Sequence, residues 1–323
     1  LGAALLLGPL ACDSGSSSGP ESTVRTLTVL YTNDEHGWIE EGPETDGAAK
    51  LVGLWRSAEG YTETGDFLIL SGGDNWTGPA ISTWFQGEST VDVMNAMGYD
   101  ASTLGNHEFD FTVDGLRARI TQADFPFLAA NIHTKGTSAT PDFATPFTIE
   151  NVNGIRVGLV GLASTTTPWT TFPAYVEDYE FIGYQEALQE WVPKAWSAGA
   201  DLVMVMAHIC HQEMIPLLPT LRDLEVSVLT GGHCNEVVGE VRDGVALVIG
   251  GWQFDRYGRV VVSFDEETGE VTGLQSGVAQ NSGGSPDPVV QALVETWQEA
   301  AATELSDVIG FAEGPVSNGS SAL

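Results

Sequence analysis

Five short apolar runs, spread along the chain from Thr26 to Thr230, each stop at residues of the kind that bind metal ions. Thr26–Thr32 delivers Asp34-Glu35-His36, and Phe67–Ser71 delivers Gly72-Gly73-Asp74. Tyr99–Leu104 runs into Gly105-Asn106-His107-Glu108-Phe109-Asp110. Asp201–Ala207 ends at His208, and Val226–Thr230 ends at Gly231-Gly232-His233-Cys234-Asn235. Short runs rich in β-branched and apolar side chains read as strands, and glycines at their ends allow sharp turns. One polar residue after a strand is ordinary loop chemistry. Five such ends carrying Asp, His or Asn call for a fold that gathers strand ends, as layered α/β architectures do.

The intervening sequence supplies the other layers. Leu51–Glu59, Glu88–Met97, Thr112–Gln122 and Gln185–Ser197 read as helices, with Pro193 an irregularity in the last. Phe125–Asn131, Ile155–Leu162, Val245–Gly250 and Arg259–Asp265 read as further strands, and Ser285–Asp307 contains an amphipathic helix. Asp34 and His36, two apart in an extended segment, would face one way and Glu35 the other, and likewise His233 and Asn235 against Cys234. Asn75 and Trp76 carry no evident role beyond their loop. His133 reads as an exposed loop residue, His211 as a solvated one, and Ala163–Trp169 as a Ser/Thr/Pro loop without a legible purpose.

Charge narrows the partners. Twelve Lys plus Arg stand against 44 Asp plus Glu, for a net charge of −32. Such a field repels nucleic acid and anionic lipid, so an anionic substrate would need a local positive centre. The first residues are apolar (Leu1–Leu10), followed by Ala11-Cys12 and a Ser/Gly-rich tether, the pattern of a secretory or lipoprotein signal. Residues 1–25 are therefore expected to direct export, with Cys12 a candidate lipid attachment site and the membrane reached only through that anchor. In an oxidising compartment Cys210 and Cys234 remain as a candidate disulfide, with two small buried thiols as the alternative.

The ordered set of NDEHG, GGDNWTG, GNHEFD, His208 and GHCN resembles the calcineurin-like metallophosphoesterase superfamily, and most of all its 5′-nucleotidase branch. The resemblance spans about residues 26–310. It implies an α/β fold built as a four-layer α/β/β/α sandwich of two mixed sheets, with residues 26–284 as the catalytic domain. Residues 285–323 would then form a helix and the start of a linker to a further domain, which in that branch supplies base-stacking aromatics and phosphate-binding arginines. It also implies two divalent metal ions. Asp34, His36 and Asn235 would hold one, Asn106, His208 and His233 the other, with Asp74 bridging. His107 would serve the leaving oxygen, oriented by Asp110, while Glu108 makes structural hydrogen bonds. Asn235 departs from the family's His, and its harder amide oxygen favours Mn²⁺ over Zn²⁺. Two divalent ions, two aspartates and a bridging hydroxide leave a centre of roughly +1, suited to phosphate.

The implied activity is hydrolysis of nucleoside monophosphates by an exported enzyme in the periplasm or on the cell surface. The alternatives are a broad-specificity phosphomonoesterase or phosphodiesterase, a sulfur-transferring hydrolase on the same scaffold, and a metal-binding surface lipoprotein without catalysis.

Overall fold

The computed structural model describes residues 23–43 and 45–307. The apolar leader, Cys12 and the sequence after Asp307 lie outside the described residues. Among those described, no helix is long and apolar enough to cross a membrane.

Among the described residues fourteen strands run in chain order: β1 (Val24–Thr32), β2 (Phe67–Ser71), β3 (Ala101–Thr103), β4 (Phe127–Leu128), β5 (Ile132–Thr134), β6 (Phe147–Val152) and β7 (Ile155–Leu162), then β8 (Tyr179–Phe181), β9 (Leu202–Ala207), β10 (Val226–Thr230), β11 (Val237–Arg242), β12 (Val245–Gly250), β13 (Arg256–Asp265) and β14 (Glu270–Gln280). They build two six-stranded sheets, ordered β14-β13-β1-β2-β3-β4 and β11-β12-β10-β9-β7-β6, while β5 and β8 pair apart. β1 to β4 are parallel, as are β12, β10, β9 and β7; β13, β14, β11 and β6 run antiparallel to their neighbours. Both sheets are thus mixed.

Period-two alternation sorts the side chains into layers. Leu27, Val29 and Tyr31 of β1 meet Leu202, Met204 and Met206 of β9 in the core between the sheets. The opposite faces turn outward: Leu30 and Ile69 pack under the helices Gly47–Leu54 and Glu88–Met97, and Val203, Val205 and Ala207 pack under Tyr184–Ser197. Three apolar layers between four layers of structure make an α/β/β/α sandwich. The helix Pro288–Glu304 is capped by Asp287 and buries Val290, Val294 and Ala301 on the first helical layer, so that layer extends past residue 284.

Several local readings change. Phe125–Asn131 is not one strand; two residues pair as β4 before the chain bends to β5. β14 is unannounced by the sequence because Gly273 and Gly277 dilute its alternation and its residues are mostly half-buried at a sheet edge. His133 is buried in β5 rather than exposed, because its strand pairs with β8. Trp76 is fully buried and packs on Phe127, a loop residue acting as core.

The two sheets are in close contact where β7 passes β4. A methyl group on Gly161 would lie 2.4 Å from the Leu128 backbone. Gly161→Ala is therefore expected to cost about 1–3 kcal/mol through forced displacement, seen as a lowered Tm. A pH effect arises at Asp100, which accepts the Ile69 amide at 2.7 Å and whose carboxyl burial raises to about 6. Because the folded state holds this proton more tightly than the unfolded chain, stability falls as pH rises from about 4 to 6. Asp100→Asn should raise stability by about 1–2 kcal/mol above pH 6, after allowing for partial solvent screening. Thermal melts at pH 4 and pH 7.5 check this; the gain should vanish at the lower pH.

Candidate metal centre

The carboxyl ends of the parallel strands lie along one edge of the sandwich. β1, β2 and β3 bring Asp34, His36, Asp74, Asn106 and His107 from the first sheet; β9 and β10 bring His208 and His233 from the second. The loops reach their positions through left-handed backbone. Asp34, His36, Asp74, His233 and Asn235 all have positive φ, between +48° and +72°. The extended geometry expected for Asp34–His36 and His233–Asn235 is thus replaced by tight turns. Such strain in non-glycine residues persists where surrounding contacts over-determine it.

Those contacts are plentiful. Glu108 is fully buried and accepts the backbone amides of Asp74 (2.9 Å), Asn75 (2.8 Å) and Gly105 (2.6 Å). Asn75, far from idle, adds its amide to Glu108 at 3.0 Å and to Ser102 at 3.1 Å. Asn33 accepts from the Gly250 amide and donates to the Gly251 carbonyl, tying the β1 loop to the β12 loop of the other sheet. Tyr31 reaches across the core to donate to the Gly231 carbonyl at 2.7 Å. A side chain at Gly105 would meet Asp74 Oδ1 at 2.2 Å, so the glycine is required by close approach.

Asp74 sits at the middle. Two three-residue groups share it: His36, Asp74 and His107, and Asp74, His208 and His233, each with donor atoms within 4.8 Å of one another. Orientation of the imidazoles follows from their second nitrogens. His208 Nδ1 donates to the Gly72 carbonyl at 2.7 Å, and His36 Nδ1 to the Thr77 carbonyl at 3.2 Å. A carbonyl can only accept, so the Nε2 of each neutral ring carries a lone pair, the arrangement a metal ligand needs. His208 Nε2 makes an ion-pair contact of 3.0 Å with Asp74 Oδ2, and Asn106 Oδ1 is buried without a hydrogen-bond partner. A buried acceptor left unpaired is costly. One beside a carboxylate shared by two histidine groups fits cation coordination, and the donor set of imidazole, carboxylate and amide oxygen suits Zn²⁺ or Mn²⁺.

Electrostatics at the centre are strongly coupled. Burial pushes the Asp34 carboxyl up to about 7 against the pull of His208, while Asn33 and the His233 amide bind its oxygens. Burial would also raise Asp74, but His208, His107 and His36 hold it below the usual carboxylate range. His208, lowered by burial, is carried up to about 10 by Asp74 and Asp34. Burial lowers both His36 and His233. Glu35 faces away into the core, bonded by Thr32 and Ser71, and burial raises its carboxyl to about 8.

His107 stands at the rim. Its Nδ1 lies 2.6 Å from Asp110 Oδ2, which leaves Nε2 as the free ring atom, and its amide donates to Asp74 Oδ1 at 2.8 Å. The segment following β7, opaque in the sequence, also belongs here. Thr171 Oγ1 donates to Asp110 Oδ1 at 2.9 Å, Asn106 Nδ2 donates to the Thr170 carbonyl, and Thr166 Oγ1 lies 3.3 Å from His233 Nε2. No spacing rule marks these threonines, because each acts through a contact distant in sequence. Cys210 and Cys234 are joined by a disulfide with Cα atoms 5.3 Å apart, linking the two loops that carry His208 and His233. Asn235, just beyond, is exposed, and His211 pairs with Glu240 instead of joining the centre.

Comparison with known proteins agrees with this geometry. The chain is 29% identical to bovine (Bos taurus) 5′-nucleotidase over 93% of its own length and 58% of that protein. It is 32% identical to the 5′-nucleotidase of Vibrio parahaemolyticus over 71% of its length and 44% of that protein. Its fold matches a calcineurin-like phosphoesterase from Bacillus subtilis with a TM-score of 0.75 at 20% identity, covering 87% of this chain and 99% of that one. In sequence the chain is similar to 5′-nucleotidases, and it has the fold of the calcineurin-like phosphoesterases. It spans about half the length of the nucleotidases it matches. The family profile of the bacterial capsule synthesis protein PGA_cap also matches, over residues 67–223, a stretch that omits Asp34, His36 and His233. The five strand ends thus bring Asp34, His36, Asp74, Asn106, His107, His208 and His233 to one edge of the sandwich, while Asn235 lies exposed beyond His233.

Glu108 provides a direct check on how the centre is built. In Glu108→Gln an amide N–H₂ replaces one acceptor oxygen and faces backbone N–H groups, leaving a buried donor unpaired. A loss of about 1–3 kcal/mol in stability is expected. Elemental analysis after dialysis should show reduced metal content in the same variant, since Asp74 and Gly105 lose their shared anchor.

Proposed function

We propose that this chain is a dinuclear-metal phosphohydrolase acting on nucleoside monophosphates. The observation that carries the reading is the pair of ligand groups sharing Asp74, with the His107–Asp110 pair beside them. Asp34, His36 and Asn235 are assigned to one ion and Asn106, His208 and His233 to the other, with Asp74 between. His107 also falls within coordinating distance of His36 and Asp74; its bond to Asp110 and its place at the rim favour a role toward substrate. Divalent ions at this centre would offset phosphate charge and acidify the attacking water.

The protein's own groups then divide the work. Asp110 holds the His107 ring through Nδ1 and is itself fixed by Thr171, so Nε2 is presented with a defined direction. From there it can donate a proton to the leaving nucleoside oxygen. Second-site bonds from the Gly72 and Thr77 carbonyls keep His208 and His36 in the tautomer that offers Nε2. The similarity to two 5′-nucleotidases supports the nucleotide substrate. The Cys210–Cys234 disulfide supports an exported, oxidising location, which agrees with the apolar leader.

Phosphate release from AMP and from an aryl phosphodiester, with Mn²⁺ or Zn²⁺ and with chelator, tests this. Metal-dependent hydrolysis of AMP is expected, abolished by EDTA. His107→Ala should lower kcat about 10²–10⁴-fold while retaining bound metal. Activity confined to the diester would transfer the assignment to a phosphodiesterase, and metal binding without turnover of either substrate would defeat it.

A further inference from the structure

One phenol hydroxyl outside the metal centre joins loops that lead to three of its ligand-type residues. Tyr184 opens the helix Tyr184–Ser197, and its half-buried ring packs against the apolar layer beneath that helix. Its hydroxyl accepts the Thr165 amide at 3.0 Å and the Thr165 hydroxyl at 3.1 Å, and donates to Glu213 Oε1 at 3.3 Å. Both acceptor sites and the one proton of the phenol are thus in use. Glu213 Oε2 in turn accepts the Cys210 amide at 3.1 Å.

These bonds close a ring around the second sheet's half of the centre. Tyr184 and Glu213 join the segment after β7 to the loop after β9. The Cys210–Cys234 disulfide joins that loop to the one after β10. Thr166, next to Thr165, completes the circuit through its contact with His233. The segment is also stiff in itself. Ser164 is fully buried, with its hydroxyl 2.7 Å from Thr166 Oγ1 and its carbonyl accepting the Thr167 hydroxyl at 2.7 Å. The reach of the ring is unequal. Under the ligand assignment above, one ion would take Asn106, His208 and His233, and all three are tied to it. His233 meets Thr166, and His208 stands two residues before the Cys210 amide that Glu213 holds. Asn106 Nδ2 donates to the Thr170 carbonyl of the same segment at 3.2 Å, while its Oδ1 stays without a hydrogen-bond partner. Asp34 and His36, assigned to the other ion, are bonded by Asn33 and by the Thr77 carbonyl, outside the ring. The His233 amide does reach Asp34, but through backbone beside Cys234, which the disulfide keeps in place.

We infer that Tyr184 is a positioning residue for one half of the centre. Its hydroxyl holds the segment from Ser164 to Thr171 against the His208 loop, so that Asn106 and His233 meet His208 in register. The inference rests on the dinuclear reading above and deepens it, because it makes the two cations unequal in what supports them. Groups that orient a metal's ligands from outside govern affinity nearly as strongly as the ligands do.

The test is Mn²⁺ binding by calorimetry, with manganese content measured after dialysis, on protein first stripped of metal by a chelator. It uses the unaltered chain, Tyr184→Phe, Glu213→Ala and the double variant. Tyr184→Phe deletes the hydroxyl and keeps the packed ring, so the Tm of the metal-free protein should fall by no more than about 3 °C. The unaltered chain should bind two Mn²⁺. In Tyr184→Phe one of the two binding events should weaken about tenfold or more, while the other keeps its affinity. Glu213→Ala should weaken the same event. The double variant should lose little more than the larger single loss, since both side chains act through one series of bonds. Two unchanged binding events in Tyr184→Phe, or two weakened equally, would overturn the positioning role and leave the dinuclear reading standing. Fully additive losses in the double variant would also overturn it, by separating Tyr184 from Glu213. Uptake of fewer than two Mn²⁺ by the unaltered chain would sink the dinuclear reading, and this inference with it.

Discussion

A single buried carboxylate holds the centre in register. Glu108 gathers three backbone amides from two different strand-end loops and has no contact with solvent. Burying a carboxyl is unfavourable, and burial together with Asp74 raises its pKa. The three amides, with the Asn75 side chain, offset much of that penalty through charge-assisted bonds. Their geometric consequence is larger than their energy. With the amide of Asp74 bound to Glu108 and the amide of His107 bound to Asp74, the loops after β2 and β3 cannot slide past one another. The left-handed conformation of Asp74 and the glycine at 105 follow from that close approach.

From this clamp the rest of the site is reached by successive bonds. Asp74 contacts His208, whose opposite nitrogen returns to the Gly72 carbonyl in the loop that carries Asp74. Asp34 accepts the His233 amide, and Asn33 beside it binds Gly250 and Gly251. Every one of these bonds joins one sheet to the other. On a chain with a net charge of −32, buried acids would repel without cationic or hydrogen-bonded partners. The fold supplies both in the same few contacts.

The strand ends were legible from sequence because period-two apolar runs and terminal glycines report backbone direction, and Asp, His and Asn report chemistry. What was hidden has a common cause. Asn75 and Trp76 looked like loop residues, yet each is buried by a partner far along the chain. Thr166, in a loop without a legible purpose, turns out to contact His233, and Thr171 just beyond that loop contacts Asp110. Local pattern fixes which side of a strand a residue faces, but not which loop will arrive opposite it. The turn geometry was hidden for a different reason: positive φ at Asp34 and His36 is imposed by tertiary bonds, whereas sequence spacing presumes extended chain.

The division of candidate ligands between the sheets would tie chemistry to stability. The first sheet presents Asp34, His36, Asp74 and Asn106; the second presents His208 and His233. A cation held by both sets therefore joins the two halves of the sandwich across the edge where their apolar core ends. Because the unfolded chain cannot present these groups together, binding free energy becomes folding free energy. Each hundredfold excess of metal over its dissociation constant would add about 2.7 kcal/mol. The disulfide between Cys210 and Cys234 acts at the same place from the covalent side, keeping the His208 and His233 loops together within the second sheet. Among the described residues no disulfide links the first sheet's loops, where Glu108 takes that part with hydrogen bonds. The two halves of the centre are thus held by different means, one covalent and one electrostatic, and the shared carboxylate of Asp74 is where they meet.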